Sequence, residues 1–107
     1  MAENSPLTQA IYVHTIIRMK ITFDPAKDAA NLVKHGVSLT LAAGLEWPML
    51  LAKQDDRRDY GEMRMIGYAP IGARVFCVVF ADRGDERRVI SLRRANNREV
   101  KQYANQV

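Results

Sequence analysis

A nearly continuous apolar run, Val75-Phe76-Cys77-Val78-Val79-Phe80-Ala81, opens at Arg74 and dominates the last third of the chain. Its β-branched and aromatic content predicts a central strand over 74–81, covered on both faces. Asp82-Arg83-Gly84-Asp85 has the composition of a turn. Arg87 to Arg94 then predicts a second strand with two arginines at each end. Strict alternation puts Arg87, Val89, Ser91 and Arg93 on one face and Arg88, Ile90, Leu92 and Arg94 on the other. Asn96 is a good N-cap, and Glu99, three residues on, closes a capping box, so a final helix follows.

Upstream, Lys20-Ile21-Thr22-Phe23 alternates and predicts a first strand. Asp24-Pro25 is a helix start, and the helix runs from Ala26 to about His35. Ala26, Ala29, Ala30 and Val33 recur at three and four residues and predict its buried stripe. Gly36 is the expected left-handed cap. Ser38 caps a second, short helix from Leu39 to about Glu46, ended by Trp47-Pro48. Met49 to Ala52 reads as a strand, Lys53 to Gly61 as a charged loop, and Glu62 to Ala69 as a strand with Glu62, Arg64, Ile66 and Tyr68 on one face. Pro70-Ile71-Gly72 is a tight connection. The order β-α-α-β-β-β-β-α predicts an α+β domain: an antiparallel sheet meander with two N-terminal helices and one C-terminal helix.

At 107 residues the chain is one domain, with residues 1–18 read as an N-terminal extension and 19–107 as the folded part. Leu7 to Met19 is apolar-rich, but Gln9, His14 and Arg18 interrupt it, and no segment reaches the ~18 apolar residues of a membrane span. It lacks the basic start and small-residue cleavage site of a signal peptide, so a cytosolic protein is expected. Cys77 is the only cysteine and reads as a buried structural thiol. His14, His35 and Cys77 lack the spacing of zinc ligands, and no metal or other cofactor is expected.

Charge changes the picture more than composition does. The net charge is +4, and its distribution is uneven. Residues 83–107 carry seven Lys or Arg against three acids, whereas the first 82 carry nine of each. The whole excess sits on the last strand and helix, which points to a polyanion such as RNA or to an acidic protein partner. A sheet edge guarded by charge gives the same pattern without any ligand.

Phe23-Asp24-Pro25-Ala26-Lys27, then Asn31 to Ser38 (Asn-Leu-Val-Lys-His-Gly-Val-Ser), Gly61-Glu62-x-Arg64, Val78-Val79-Phe80-x-x-Arg83 and Arg88-Val89-Ile90-Ser91-x-Arg93-Arg94-Ala95 occur in that order, with Glu99 and Tyr103 behind them. From Lys20 to Tyr103 this set resembles the BrnT family, toxins of type II toxin–antitoxin systems. The resemblance implies a compact RelE-like fold and ribonuclease activity that arrests translation. It also implies a BrnA-type ribbon-helix-helix antitoxin, with operator DNA bound only through the toxin–antitoxin complex. The chain departs from the family pattern at Phe23, where many members have Trp, at Leu39-Thr40-Leu41, which leaves the capping box of Ser38 open, and at Trp47-Pro48.

Metal-free RNA cleavage needs a base for the ribose 2′-hydroxyl, an acid for the leaving 5′-oxygen, and fixed cations for the charge between. Glu62, beside Arg64, and His35 are the candidate proton-transfer groups. Arg93 and Arg94 are the candidates for transition-state charge and phosphate. Lys34, Arg83 and Arg88 are further phosphate contacts. Tyr60, Tyr68 and Tyr103 are stacking or packing residues. The competing function class is a non-catalytic basic module that docks RNA, a ribosome or a protein. A DNA-binding regulator is disfavoured, since no helix-turn-helix pattern is visible.

Overall fold

Five strands pair in the order β1-β5-β4-β3-β2 in the computed structural model, which describes residues 19–106. The expected extension, residues 1–18, lies outside the described residues. The strands are β1 Lys20–Thr22, β2 Leu51–Gln54, β3 Met65–Ile71, β4 Arg74–Arg83 and β5 Glu86–Arg94. Strands β2 to β5 form the antiparallel meander expected of four consecutive strands. β4 lies at the centre with Phe76 to Ala81 buried, as an apolar run without alternation requires. β1 crosses to the far edge and pairs parallel with β5, from Lys20 opposite Glu86 to Thr22 opposite Arg88.

Two strands begin later than their patterns predict. Trp47–Met49 coils into a 3₁₀ turn, with Leu50 N–H donating to the Trp47 carbonyl at 3.0 Å, so β2 starts at Leu51. β3 starts at Met65, which leaves Glu62 and Arg64 in the loop before it rather than on a strand face. Gly67 sits where β2 and β3 approach closely: a Cβ there would stand 2.7 Å from the Ala52 Cβ.

Helix α1, Pro25–His35, starts and stops where its caps dictate. The Asp24 carboxylate accepts from Ala26 N–H at 2.9 Å, and Gly36 adopts φ 70° while donating to the Leu32 carbonyl at 2.8 Å. The predicted buried stripe is a correction. Val33 is 89% exposed, and Ala26, Ala29, Ala30 and Leu32 are exposed as well. The buried residue of α1 is Asn31. Its Nδ2 donates to the Leu92 and Val37 carbonyls at 2.7 and 2.8 Å, and its Oδ1 accepts from Leu92 N–H at 3.1 Å. β1 covers the β5 edge only as far as Arg88. Beyond that, the Asn31 amide acts as a one-residue strand partner, and seating it turns the apolar side of α1 outward.

The second N-terminal helix is a 3₁₀ segment, Leu39–Gly44, not an α-helix. Asp28 of α1 closes its start, accepting from Ser38 Oγ at 2.9 Å and Leu39 N–H at 2.7 Å. This supplies the carboxylate that the local sequence lacks. Val37, Leu39, Ala42 and Leu45 drop into the core against Phe76, Val78, Phe80, Val89 and Leu92. Trp47 packs edge-on to Phe80 with ring centroids 5.6 Å apart. Helix α2, Asn97–Gln106, opens with the predicted capping box: Asn96 N–H to Glu99 and Glu99 N–H to Asn96, both 2.9 Å. Buried Tyr103 ties it down through a 2.8 Å bond to the Met49 carbonyl.

A bulge decides which arginines share a face. Val79 pairs with Ser91 but Phe80 pairs with Val89, so Ile90 is an extra residue in β5. Strict alternation fails there. Val89 and Leu92 both enter the core, with Arg87 lying over the Phe80 and Trp47 rings at 4.3 and 5.0 Å. By register, Arg88, Ser91 and Arg93 stand on the opposite face with Val79 and Cys77.

Candidate functional site

The sheet face opposite the core carries a groove that runs past the C-terminal end of α1. Its first part, about 350 Å³, is lined by Lys27, Lys34 and His35 from α1, Arg57 from the β2–β3 loop, and Cys77, Ser91 and Arg93 from the sheet. None of the described residues lining it is acidic. Past Arg57, Ile66 and Arg93 the groove widens into a cavity of about 560 Å³ under α2, where Lys53, Tyr68, Glu99 and Tyr103 appear. Arg57 and Arg93 line both parts and stand at the neck between them.

His35 is half-buried in the last turn of α1. Burial pushes its pKa below the ordinary 6.5, and the charges of Lys34 and Arg93 push it the same way. The C-terminus of a helix ordinarily favours an imidazolium. Here burial and two neighbouring cations oppose that and favour the neutral ring.

Arg93 is held by Glu99 through two bonds, Nη1 to Oε1 at 2.8 Å and Nη2 to Oε2 at 2.9 Å. Glu99 also accepts from the Tyr68 hydroxyl at 2.9 Å and caps α2. Arg93 first, then the Asn96 N–H and Tyr68, holds the Glu99 carboxyl down at about 2, and Glu99 pushes the arginine further up. Burial, then Glu99, pushes the Tyr68 hydroxyl up, so it stays a proton donor to the carboxylate. Burial also raises the Cys77 thiol, which fits the structural role expected of it.

A second pair of the same kind holds Arg57. Its Nε and Nη2 donate to the two Asp55 oxygens at 2.7 and 2.8 Å, and Tyr60 adds a hydroxyl at 3.3 Å. The Asp55 side chain is 1% exposed and the Arg57 side chain 64%. Arg57 holds the Asp55 carboxyl down at about 2.

Of the predicted site residues, the structure brings together His35, Lys34 and Arg93. Glu62, Arg64 and Arg83 form a separate cluster. Arg83 donates to Glu62 at 2.7 Å and Arg64 at 3.4 Å, which lowers the Glu62 pKa. Arg64 lies over the Tyr60 ring at 4.3 Å, so contacts lead from this cluster to Asp55. Arg88 stands opposite Ala81 on the groove face, and Arg94 stands opposite Phe76 on the other. Tyr68 and Tyr103 line the wider cavity with their hydroxyls already engaged. Sequence reasoning passed over Lys27, Asp55 and Arg57. The Asp-x-Arg spacing of 55–57 was the available signal, but burial of the acid is what distinguishes it within a loop of mixed charge. Among the described residues no three His, Cys, Asp or Glu side chains converge as metal ligands would. No described helix is long and apolar enough to cross a membrane.

These carboxyls make stability depend on acid. Asp55 and Glu99 have folded values near 2 against unfolded values of 3.8 and 4.5. Their stabilisation is therefore fully present above about pH 5 and is lost as pH falls toward 2, by up to about 2–3 kcal/mol for each pair. Urea unfolding across that window measures it. Glu99→Gln removes the Glu99 share of the slope, and a wild-type curve flat from pH 5 to 2 contradicts the assignment.

The model of one protein family, described as "Ribonuclease toxin, BrnT, of type II toxin-antitoxin system", matches residues 23–99. That span contains His35, Arg93 and both carboxylate–arginine pairs. No curated protein sequence matches the chain.

Proposed function

The chain belongs to the BrnT family of type II toxin–antitoxin ribonuclease toxins, and from that membership we propose a metal-independent endoribonuclease that cleaves RNA in the groove beside His35. The observation that carries this reading is the meeting of an imidazole, whose neutral form its surroundings favour, with Lys34 and Arg93 in the first part of the groove, whose described lining holds no acid. His35 takes the proton from a ribose 2′-hydroxyl, and the 2′-oxygen attacks the adjacent phosphorus. The bond to the 5′-oxygen breaks, the leaving oxygen takes a proton from solvent, and a 2′,3′-cyclic phosphate remains. Arg93 stabilises the added charge on the phosphoryl oxygens, and Lys34 binds the phosphate. Glu62 and Arg64 are assigned, with Arg83 and Arg88, to the path of the flanking RNA. A carboxylate gripped by two guanidiniums is a weak base.

The reading extends to a RelE-like fold for residues 19–107 and to translation arrest in the cytoplasm. It includes neutralisation by a BrnA-type ribbon-helix-helix antitoxin, through which alone the toxin reaches operator DNA. The cationic lining of the first part of the groove, Lys27, Lys34, Arg57 and Arg93, supports an antitoxin segment that covers it with acidic residues.

The test uses identically purified wild type and Arg93→Ala with free RNA in EDTA, and again with translating ribosomes. Wild type is expected to leave cyclic-phosphate fragments, with Arg93→Ala slower by about 10²–10³-fold and no longer arresting growth. Cleavage abolished by EDTA overturns metal independence. RNA bound but recovered intact under every condition establishes the non-catalytic module instead.

A further inference from the structure

Two arginines at the neck of the groove are presented in the same way, and only one has a role so far. Arg57 reaches the neck from the β2–β3 loop, Arg93 from β5. Each is gripped on two N–H groups by both oxygens of one carboxylate. Each carboxylate is far less exposed than its arginine: Asp55 1% against 64%, and Glu99 13% against 34%. Both line the first part of the groove together with Cys77.

We propose that Arg57 and Arg93 form a two-guanidinium seat for one RNA phosphodiester at the neck between the two cavities, with Asp55 and Glu99 as the positioning carboxylates behind them. This rests on the ribonuclease reading above and adds to it a second phosphate-binding arginine and its support.

The physical argument starts from the five N–H groups of a guanidinium. Asp55 occupies Nε and one Nη2 hydrogen of Arg57, and among the described residues no acceptor engages Nη1. The free edge is the one turned from the buried acid, and Arg57 lines both parts of the groove. A lone exposed arginine loses rotamer freedom when it binds phosphate. Arg57 has already lost it, because buried Asp55, the Tyr60 hydroxyl and the Arg57 N–H fix the pair. The loop is fixed in turn, since Asp55 N–H donates to the Arg64 carbonyl at 2.7 Å. Burying a carboxylate merely to latch a surface loop is costly. Aiming a cation across a groove lined by Lys34, His35 and Arg93 gives that burial a function. Neutralisation by Asp55 also limits the repulsion between Arg57 and the other cations while the groove is empty.

The test separates contact from bulk charge. The double substitution Asp55→Asn with Arg57→Gln leaves the net charge of the chain at +4, and keeps a neutral hydrogen-bonded pair in place of the buried ion pair. Binding of a 2′-O-methyl oligoribonucleotide, which lacks the attacking hydroxyl, is measured against salt for wild type, this double variant and Arg93→Ala. Thermal melting checks that each is folded. The seat predicts that the double variant binds on the order of ten-fold more weakly. It also predicts a salt slope shallower by about 0.7, the share of one phosphate contact on a single strand. Arg57→Lys keeps the slope and loses affinity, because an ammonium lacks the fork. If Arg93→Ala weakens binding and the folded double variant does not, the seat is overturned and the ribonuclease reading stands. If wild type does not bind the oligoribonucleotide, the seat is overturned, and the cleavage assay with translating ribosomes decides the ribonuclease reading.

Discussion

His35→Gln slows RNA cleavage by about 10²–10⁴-fold, the usual worth of a general base, and leaves the melting temperature unchanged. His35 is half-buried at the end of α1 and its ring makes no hydrogen bond to a described residue, so glutamine removes a base without opening the core. The pH profile carries more information than the rate. A general base must be neutral to act, and His35 titrates below 6.5 because burial, Lys34 and Arg93 all oppose its charged form. Wild-type kcat/KM is therefore expected to rise with pH through a value below 6.5 and to be level at neutrality. His35→Gln removes that limb. An acid limb that survives the substitution identifies another group as the base, and an undiminished rate removes His35 from the chemistry altogether.

Asn31→Ala is the substitution expected to cost the most stability, roughly 3 kcal/mol. It strands the Leu92 N–H, the Leu92 carbonyl and the Val37 carbonyl, and each buried unpaired group costs about 1–3 kcal/mol before relaxation and water recover part of it. For a domain of this size that lowers the melting temperature by on the order of 10–20 °C. Asn31→Asp is no remedy, because a carboxylate would face two carbonyl oxygens and can donate to neither. Function follows structure here, since the same helix delivers Lys34 and His35 to the groove. Urea unfolding decides the matter. A loss below about 1 kcal/mol would mean that water replaces the amide at the β5 edge, and that the seating of α1 has another cause.

Legibility in the sequence tracked distance along the chain. Asp24 at the start of α1, Gly36 at its end and the Asn96–Glu99 box at the start of α2 all act within four residues, and all stand as their patterns predicted. The Arg74 strand was equally legible, because a strand covered on both faces has an apolar run with no competing alternation. His35, Lys34 and Arg93 were found by residue type and by resemblance to a family. Whether they met was a separate question.

The chain's local chemistry thus determined its two α-helices and their caps, its central strand and the concentration of cations toward its C-terminal end. Tertiary structure alone decided which of those cations share a groove. The bulge at Ile90 shifts β5 by one residue and sends Arg93 and Ser91 to one face while Val89 and Leu92 enter the core. A single unpaired strand edge selected Asn31 over the alanine stripe as the buried side of α1. Arg57 depends on the burial of Asp55 behind it. Each of these outcomes is set by the hydrogen-bonding and burial demands of a neighbour distant in sequence, and side-chain periodicity carries no information about such a neighbour.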